Sequence, residues 1–192
     1  MMEIILASAS PRRVELIKKI KNITVKVIPS TAKEETSVTN PYEFVKELAY
    51  LKAKDVFDKT GGKVIGADTV VVNGEIILGK PKDEEEAKRM LKLLCGNTHK
   101  VLTGVCLIKE SGEFLTSVTE TKVTFNAYAK EVVDAYVATG SPLDKAGAYG
   151  IQDKKLAPLV KKVDGNLDNV IGFPVQTVQN MIESFFETKG EN

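Results

Sequence analysis

The sequence predicts an α/β fold, with a mixed, twisted sheet and two lobes around a cleft. Three observations carry that prediction. Strand-like and helix-like runs alternate early in the chain, as in βαβ units. The middle holds long β-branched runs joined by short turns, the pattern of antiparallel pairing. The 192 residues, 43% hydrophobic and 28% charged, are enough to bury a real core. No repeat, low-complexity stretch or free linker divides them, so residues 1–192 read as one domain.

Residues 3–7 (EIILA) read as a short buried strand. Ser10 can cap the next helix and Pro11 suits its first position, with Val14, Leu16, Ile17 and Ile20 on its apolar side. A second strand is expected near 23–28, then a polar loop over 30–40. Asn40-Pro41 opens a helix to about Asp58, in which Phe44, Val45, Leu48, Leu51 and Val56 are spaced for burial. Residues 63–72 (KVIGADTVVV) form a strand that turns at Asn73-Gly74 into Glu75-Ile76-Ile77-Leu78, the strongest hairpin signal in the chain. Asp83 and three glutamates start a helix that runs to Leu94, before Gly96. Strands over about 99–109 and 113–125, a helix over 130–138 and a glycine-rich irregular stretch, 141–153, come next. A strand near 156–163, a turn at Asp164-Gly165 and a helix from about Pro174 to Phe186 complete the prediction.

Composition excludes some functions. With 27 basic and 26 acidic residues the net charge is +1, without the basic excess of a general nucleic-acid binder, though a local positive pocket remains open. Cys95 and Cys106 form no CxxC, which argues against a disulfide framework or a structural zinc site and for reduced thiols in a cytoplasmic protein. The start lacks the pattern of a signal peptide, and no run approaches the ~20 apolar residues that span a bilayer, so no membrane partner is expected.

Several stretches can carry chemistry. In Leu6-Ala7-Ser8-Ala9-Ser10-Pro11-Arg12-Arg13 a strand feeds a helix start. Backbone N–H groups, the Ser8 and Ser10 hydroxyls and the forks of Arg12 and Arg13 would together cradle an anion; the bland alternative is a capped helix with exposed arginines. No GxxxxGK[ST] occurs, so P-loop chemistry is excluded. Asp68 stands inside an apolar strand, where a carboxylate has to be satisfied or functional, either as a metal ligand or as a base toward water. Lys80, in Gly79-Lys80-Pro81, would be held in a fixed direction by the proline. Lys52 and Glu34 are weaker signals, one among several basic residues and the other in a solvated acidic loop. In 144–152 (DKAGAYGIQ), glycines permit close approach, Tyr149 offers a flat face and Gln152 offers a paired donor and acceptor. That pair suits a pyrimidine edge. His99, the only histidine, reads as a structural hydrogen-bonding group, and Thr103-Gly104 as backbone geometry.

Taken together, SASPRR at 8–13, GADTVV at 66–71, GKP at 79–81, THKVLTG at 98–104 and DKAGAYGIQ at 144–152 resemble the Maf family of nucleoside triphosphate pyrophosphatases. The likeness covers nearly the whole chain, and the form of the last motif is similar to the dTTP/UTP branch. The resemblance implies an inosine-triphosphatase-like architecture and hydrolysis, dependent on Mg²⁺ or Mn²⁺, between the α and β phosphates. Ser8, Arg12, Arg13, Lys52 and Lys80 would hold phosphates, Glu34 and Asp68 would serve the metal and the attacking water, and Gln152 would contact the base. The acidic loop departs from the family's aspartate-rich form, so Glu35 is the alternative to Glu34. A homodimer is common in similar proteins. The rival expectation is a nucleotide-binding regulator of septum formation that does not cleave.

Overall fold

A computed structural model describes residues 1–186. The elements, in order, are β1 (Met2–Leu6), α1 (Pro11–Ile17), β2 (Ile23–Val27), α2 (Pro41–Thr60), β3 (Val64–Asn73), β4 (Ile76–Leu78), α3 (Glu84–Leu94), β5 (Thr98–Ile108), β6 (Phe114–Phe125), α4 (Lys130–Val137), β7 (Val160–Asp164), α5 (Leu167–Ile171) and α6 (Val175–Phe185). Short 3₁₀ turns lie at Ser141–Asp144, Ala146–Ala148 and Ala157–Leu159. The seven strands form one mixed sheet in the order β2-β1-β3-β5-β6-β7, with β4 paired to β3. β1 runs parallel to β2 and β3, while β3 with β4 and β6 with β7 are antiparallel.

The described chain packs as two compact units. The first contains Met1–Asp68, Thr103–Thr119 and the segment from Gly172; the second contains Thr69–Leu102 and Glu120–Ile171. In the first unit Ile5, Ala7, Ala49, Ala53, Val56, Val64, Cys106 and Ile108 form a buried cluster, in which one face of α2 lies on strand residues. Two glycines make that contact possible. A Cβ on Gly66 would stand 2.3 Å from the Ala49 carbonyl oxygen and 2.7 Å from the Ala53 nitrogen. One on Gly104 would stand 2.3 Å from the Val45 carbonyl oxygen. The backbone of α2 therefore lies directly on β3 and β5, closer than any side chain would allow. Asn40 caps this helix by accepting from the Tyr42 and Glu43 amides (3.0 and 3.2 Å), with Pro41 in its first turn.

In the second unit α3, α4 and the strand residues Val71, Val101, Val123 and Phe125 enclose a larger core that includes Leu91, Leu94, Tyr136, Tyr149 and Leu159. Asp83 caps α3 by accepting the Glu86 amide at 2.8 Å, and three glutamates occupy its first turn, as the sequence predicts. The hairpin turn also stands where expected, with Gly74 at φ +62.

Three stretches differ from prediction. The strand expected near 156–163 begins as a 3₁₀ turn, and only Val160–Asp164 pairs with β6; Pro158 has no N–H to give to a ladder. α5 was not expected. It is five residues long, and its Asn169 side chain donates to the Val101 carbonyl (3.2 Å) and the Thr121 hydroxyl (3.1 Å), so tertiary partners hold it. α1 has only seven residues and ends at Ile17.

Candidate active site

The first unit gathers most of the charged residues singled out above. Lys52 comes from α2 and Asp68 from β3. Asp68 is two positions beyond Gly66, on the same side of the strand, and Lys52 is next to Ala53, which touches Gly66. Close contact of the two backbones at Gly66 thus brings the side chains together. Lys52 Nζ donates to Asp68 Oδ1 at 2.6 Å, and it lies 3.1 Å from Glu34 Oε1. Asp68 is 6% exposed, so its burial is compensated by the ammonium group. The Glu34 side chain is about half exposed (54%), which leaves it open to a ligand.

Glu34 lies on an irregular loop that α2 moors. Asp55 Oδ2 accepts from the Ser30 hydroxyl (3.0 Å), the Thr31 amide (2.8 Å) and the Thr31 hydroxyl (3.4 Å), and Lys59 donates to Thr31 Oγ1 at 2.8 Å. The hydrogen bond from Lys59, then that from the Thr31 amide, hold the Asp55 carboxyl down to about 2. Of the two neighbouring acids, Glu34 is the one that meets Lys52.

The SASPRR stretch supplies the cations. Ser8 is buried and its hydroxyl accepts from the Ser10 amide at 3.2 Å; Ser10 in turn caps α1 by a long contact (3.5 Å) with the Arg13 amide. One amide of the helix end is thus already spoken for, and α1 is short. The positive field here therefore comes from the guanidinium groups more than from the helix terminus. Arg13 Nε donates to the Gly172 carbonyl at 2.8 Å, which fixes the plane of its fork. Burial lowers the Arg13 pKa, Asp68 and Glu34 oppose that, and Arg12 adds to it. Arg13 therefore shares one electrostatic field with Arg12, Asp68 and Glu34.

Lys80 and Gln152 belong to the second unit. Lys80 is exposed in a turn with little freedom. Pro81 is buried, the Gly79 carbonyl accepts the Gly147 amide at 3.0 Å, and the Lys82 amide donates to Glu86. Gly147 has φ +69, and a Cβ there would meet Val71 Cγ2 at 2.6 Å, so only glycine fits. Gln152 is exposed at the end of the DKAGAYGIQ loop.

Tyr149 does not offer the flat face expected of it. It is 5% exposed, its hydroxyl and His99 Nε2 are 2.7 Å apart, and its ring packs edge-on against His99 and Phe125. The expectation of a structural His99 agrees with its burial, which presses its pKa down to about 4. The sequence reading missed Asp55, the Gly172 carbonyl and the buried Tyr136, which bonds to the loop beside Gln152. No local signal marks the first two, because each acts on a residue distant in the chain.

The profile of the Maf-like protein family matches residues 3–185. The chain belongs to the Maf family. Among its curated relatives are proteins named dTTP/UTP pyrophosphatase from Thermococcus onnurineus, 48% identical over 95% of this chain and 98% of the relative, and from Geobacillus, 48% identical over 91% and 94%. The one from Thermosipho africanus is 45% identical over 94% and 92%. Among solved structures, the Ham1 protein of Staphylococcus aureus superimposes with a TM-score of 0.59 at 17% identity, over 96% of this chain and 98% of that one. A HAM1 protein from Coxiella burnetii does so with a TM-score of 0.55 at 17% identity, over 96% and 100%. These likenesses give the Maf chain its fold class, a mixed α/β sheet protein of the Ham1 type.

Proposed function

We propose that this Maf protein is a dTTP/UTP pyrophosphatase, which hydrolyses the bond between the α and β phosphates to release the nucleoside monophosphate and pyrophosphate. The relatives named for that activity support the reading. The observation that carries it is the Glu34–Lys52–Asp68 cluster in one field with Arg13. A triphosphate tail needs several fixed cations, and its hydrolysis needs a carboxylate that can take a proton from water. In this reading a water oxygen attacks the α phosphorus, Asp68 takes the water's proton, and the bond to the leaving pyrophosphate oxygen breaks. Ser8, Arg12, Arg13 and Lys52 hold phosphate oxygens, and Lys80 is given the same role by the likeness of the GKP motif alone. Gln152 serves the base, a role that rests on the likeness of the DKAGAYGIQ motif. Removal of modified pyrimidine triphosphates, a housecleaning role, is the same chemistry on neighbouring substrates.

Asp68 and Glu34 offer hard oxygen donors, which suit Mg²⁺ or Mn²⁺. Among the described residues no group of three or more His, Cys, Asp or Glu side chains is arranged to hold a metal ion. The two carboxylates, both beside Lys52 Nζ, would therefore hold an ion only together with donors from outside these side chains. When bound, such an ion would neutralise phosphate charge. The free cysteines suit a reducing, cytoplasmic compartment; both are buried, and burial pushes the Cys106 thiol up to about 12. No described helix is long and apolar enough to cross a membrane. A homodimer is part of the same proposal, by likeness to similar proteins alone.

The deciding experiment is pyrophosphate release over a panel of triphosphates with and without Mg²⁺, for the parent and for Asp68→Asn. The parent should prefer dTTP and UTP. The variant should lose roughly 10²–10⁴ in rate while still binding nucleotide. Release at the parent rate by Asp68→Asn would remove Asp68 as the base. Binding without release by the parent would favour a non-catalytic regulator.

A further inference from the structure

The DKAGAYGIQ loop is gripped from beneath by side chains that the proposed chemistry does not use. Tyr136, at the end of α4, is fully buried. Its hydroxyl donates to Asp153 Oδ2 at 2.6 Å and accepts the Gly150 amide at 2.9 Å. One oxygen thus holds the chain just before and just after the pair Ile151-Gln152. The Asp153 amide donates to the Gly150 carbonyl at 2.9 Å and closes the same turn. Ser141 Oγ donates to Asp153 Oδ2 at 2.8 Å. Lys145 donates to the Ser141 carbonyl (2.6 Å), the Ser141 hydroxyl (2.9 Å) and Asp144 (2.8 Å). The Lys145 stem lies against Gly150, where a Cβ would meet its Cε at 2.6 Å. On the other side, Tyr149 is tied to His99. Gln152 alone of this stretch has both an exposed side chain and an amide able to read a base edge.

An exposed glutamine samples several rotamers, so it can discriminate between bases only if its backbone is held still. We propose that Tyr136 is a positioning residue for base selection, its buried hydroxyl bracketing Ile151-Gln152 so that the Gln152 amide is presented to a pyrimidine edge. The inference rests on the reading of Gln152 as the base contact. It assigns Lys145 and Asp153, despite their charge, to holding the loop and not to the phosphates.

The test compares Tyr136→Phe, Gln152→Ala and the double variant, each by kcat/KM for dTTP and dGTP and by thermal melting. Tyr136→Phe should lower the dTTP:dGTP ratio about tenfold, chiefly through KM for dTTP, the size of one lost hydrogen bond. The double variant should show a ratio no lower than Gln152→Ala alone, because both substitutions remove one function. A purely structural tyrosine would lower kcat/KM for both nucleotides alike and leave the ratio in place; that result overturns the inference. If Gln152→Ala itself leaves the ratio unchanged, the base-reading role of Gln152 is what has failed, and the inference falls with it. Should Tyr136→Phe not fold, Ser141→Ala removes one bond to Asp153 from a less buried place. A fall in the ratio would support the clamp, and an unchanged ratio would overturn it.

Discussion

Lys52 on α2 and Asp68 on β3 form an ion pair 2.6 Å long across sixteen residues of chain, because Gly66 lets their backbones meet. The pair is nearly dry, with side-chain exposures of 13% and 9%. Removing one partner should therefore hurt more than removing both. Lys52→Met is expected to lower stability by on the order of 2 kcal/mol, less than for an isolated pair because the field of Arg13 still reaches Asp68. Lys52→Met/Asp68→Asn should recover part of that loss. Urea unfolding of the two proteins at neutral pH checks the order, and a double variant weaker than the single would refute it.

Gly66→Ala places a methyl group against backbone atoms of α2 that cannot turn aside. The expected loss is about 3 kcal/mol, the upper end for an overfilled site. Turnover should also fall in the surviving folded fraction, since α2 carries Lys52 away from Asp68. A crystal structure of the variant with an unmoved helix would contradict this account.

His99 makes stability depend on pH. Burial holds it near 4 in the folded protein, against 6.5 when exposed. Between those values the unfolded chain binds more protons than the folded one, so stability falls as pH drops from about 6.5 toward 4. The loss approaches about 3 kcal/mol at the lower limit. His99→Gln should flatten that part of the profile, measured as the urea midpoint against pH. An equal slope in both proteins would assign the dependence to other groups.

Asp55 anchors the start of the loop that carries Glu34. Asp55→Ala frees Ser30 and Thr31, and with them the loop that brings Glu34 to Lys52. Because the carboxylate is near the surface, stability should change by only about 1 kcal/mol. On the proposal that Glu34 helps to hold a divalent ion, activity should fall further than that, with a higher Mg²⁺ requirement. The carboxyl is held near 2, below its ordinary 3.8, so its stabilising effect is present above about 4 and is lost as pH falls toward 2. Unaltered Mg²⁺ dependence in Asp55→Ala would show that the loop needs no mooring.

Much of the fold was legible because it is written locally. β-branched runs, Asn73-Gly74, the Asn40-Pro41 cap and the acidic start of α3 each set their own element, and each stands where expected. α5 was illegible because Asn169 acquires its partners from β5 and β6. Tyr149 was misread for a related reason. A tyrosine in a glycine-rich loop looks available, and only the packing of His99 and Phe125 shows that its ring is enclosed.

The linear order of residues determined, by itself, the kinds of groups present, the elements that carry them and the family they belong to. It did not determine which charges meet. Lys52 had several basic neighbours and Glu34 an acidic one, with nothing local to separate them. The choice was made where α2 settles on Gly66 and Gly104, and where Arg13 reaches the Gly172 carbonyl 159 residues away. Helix and strand signals act over a few residues, whereas an ion pair depends on distances that only the packed chain defines.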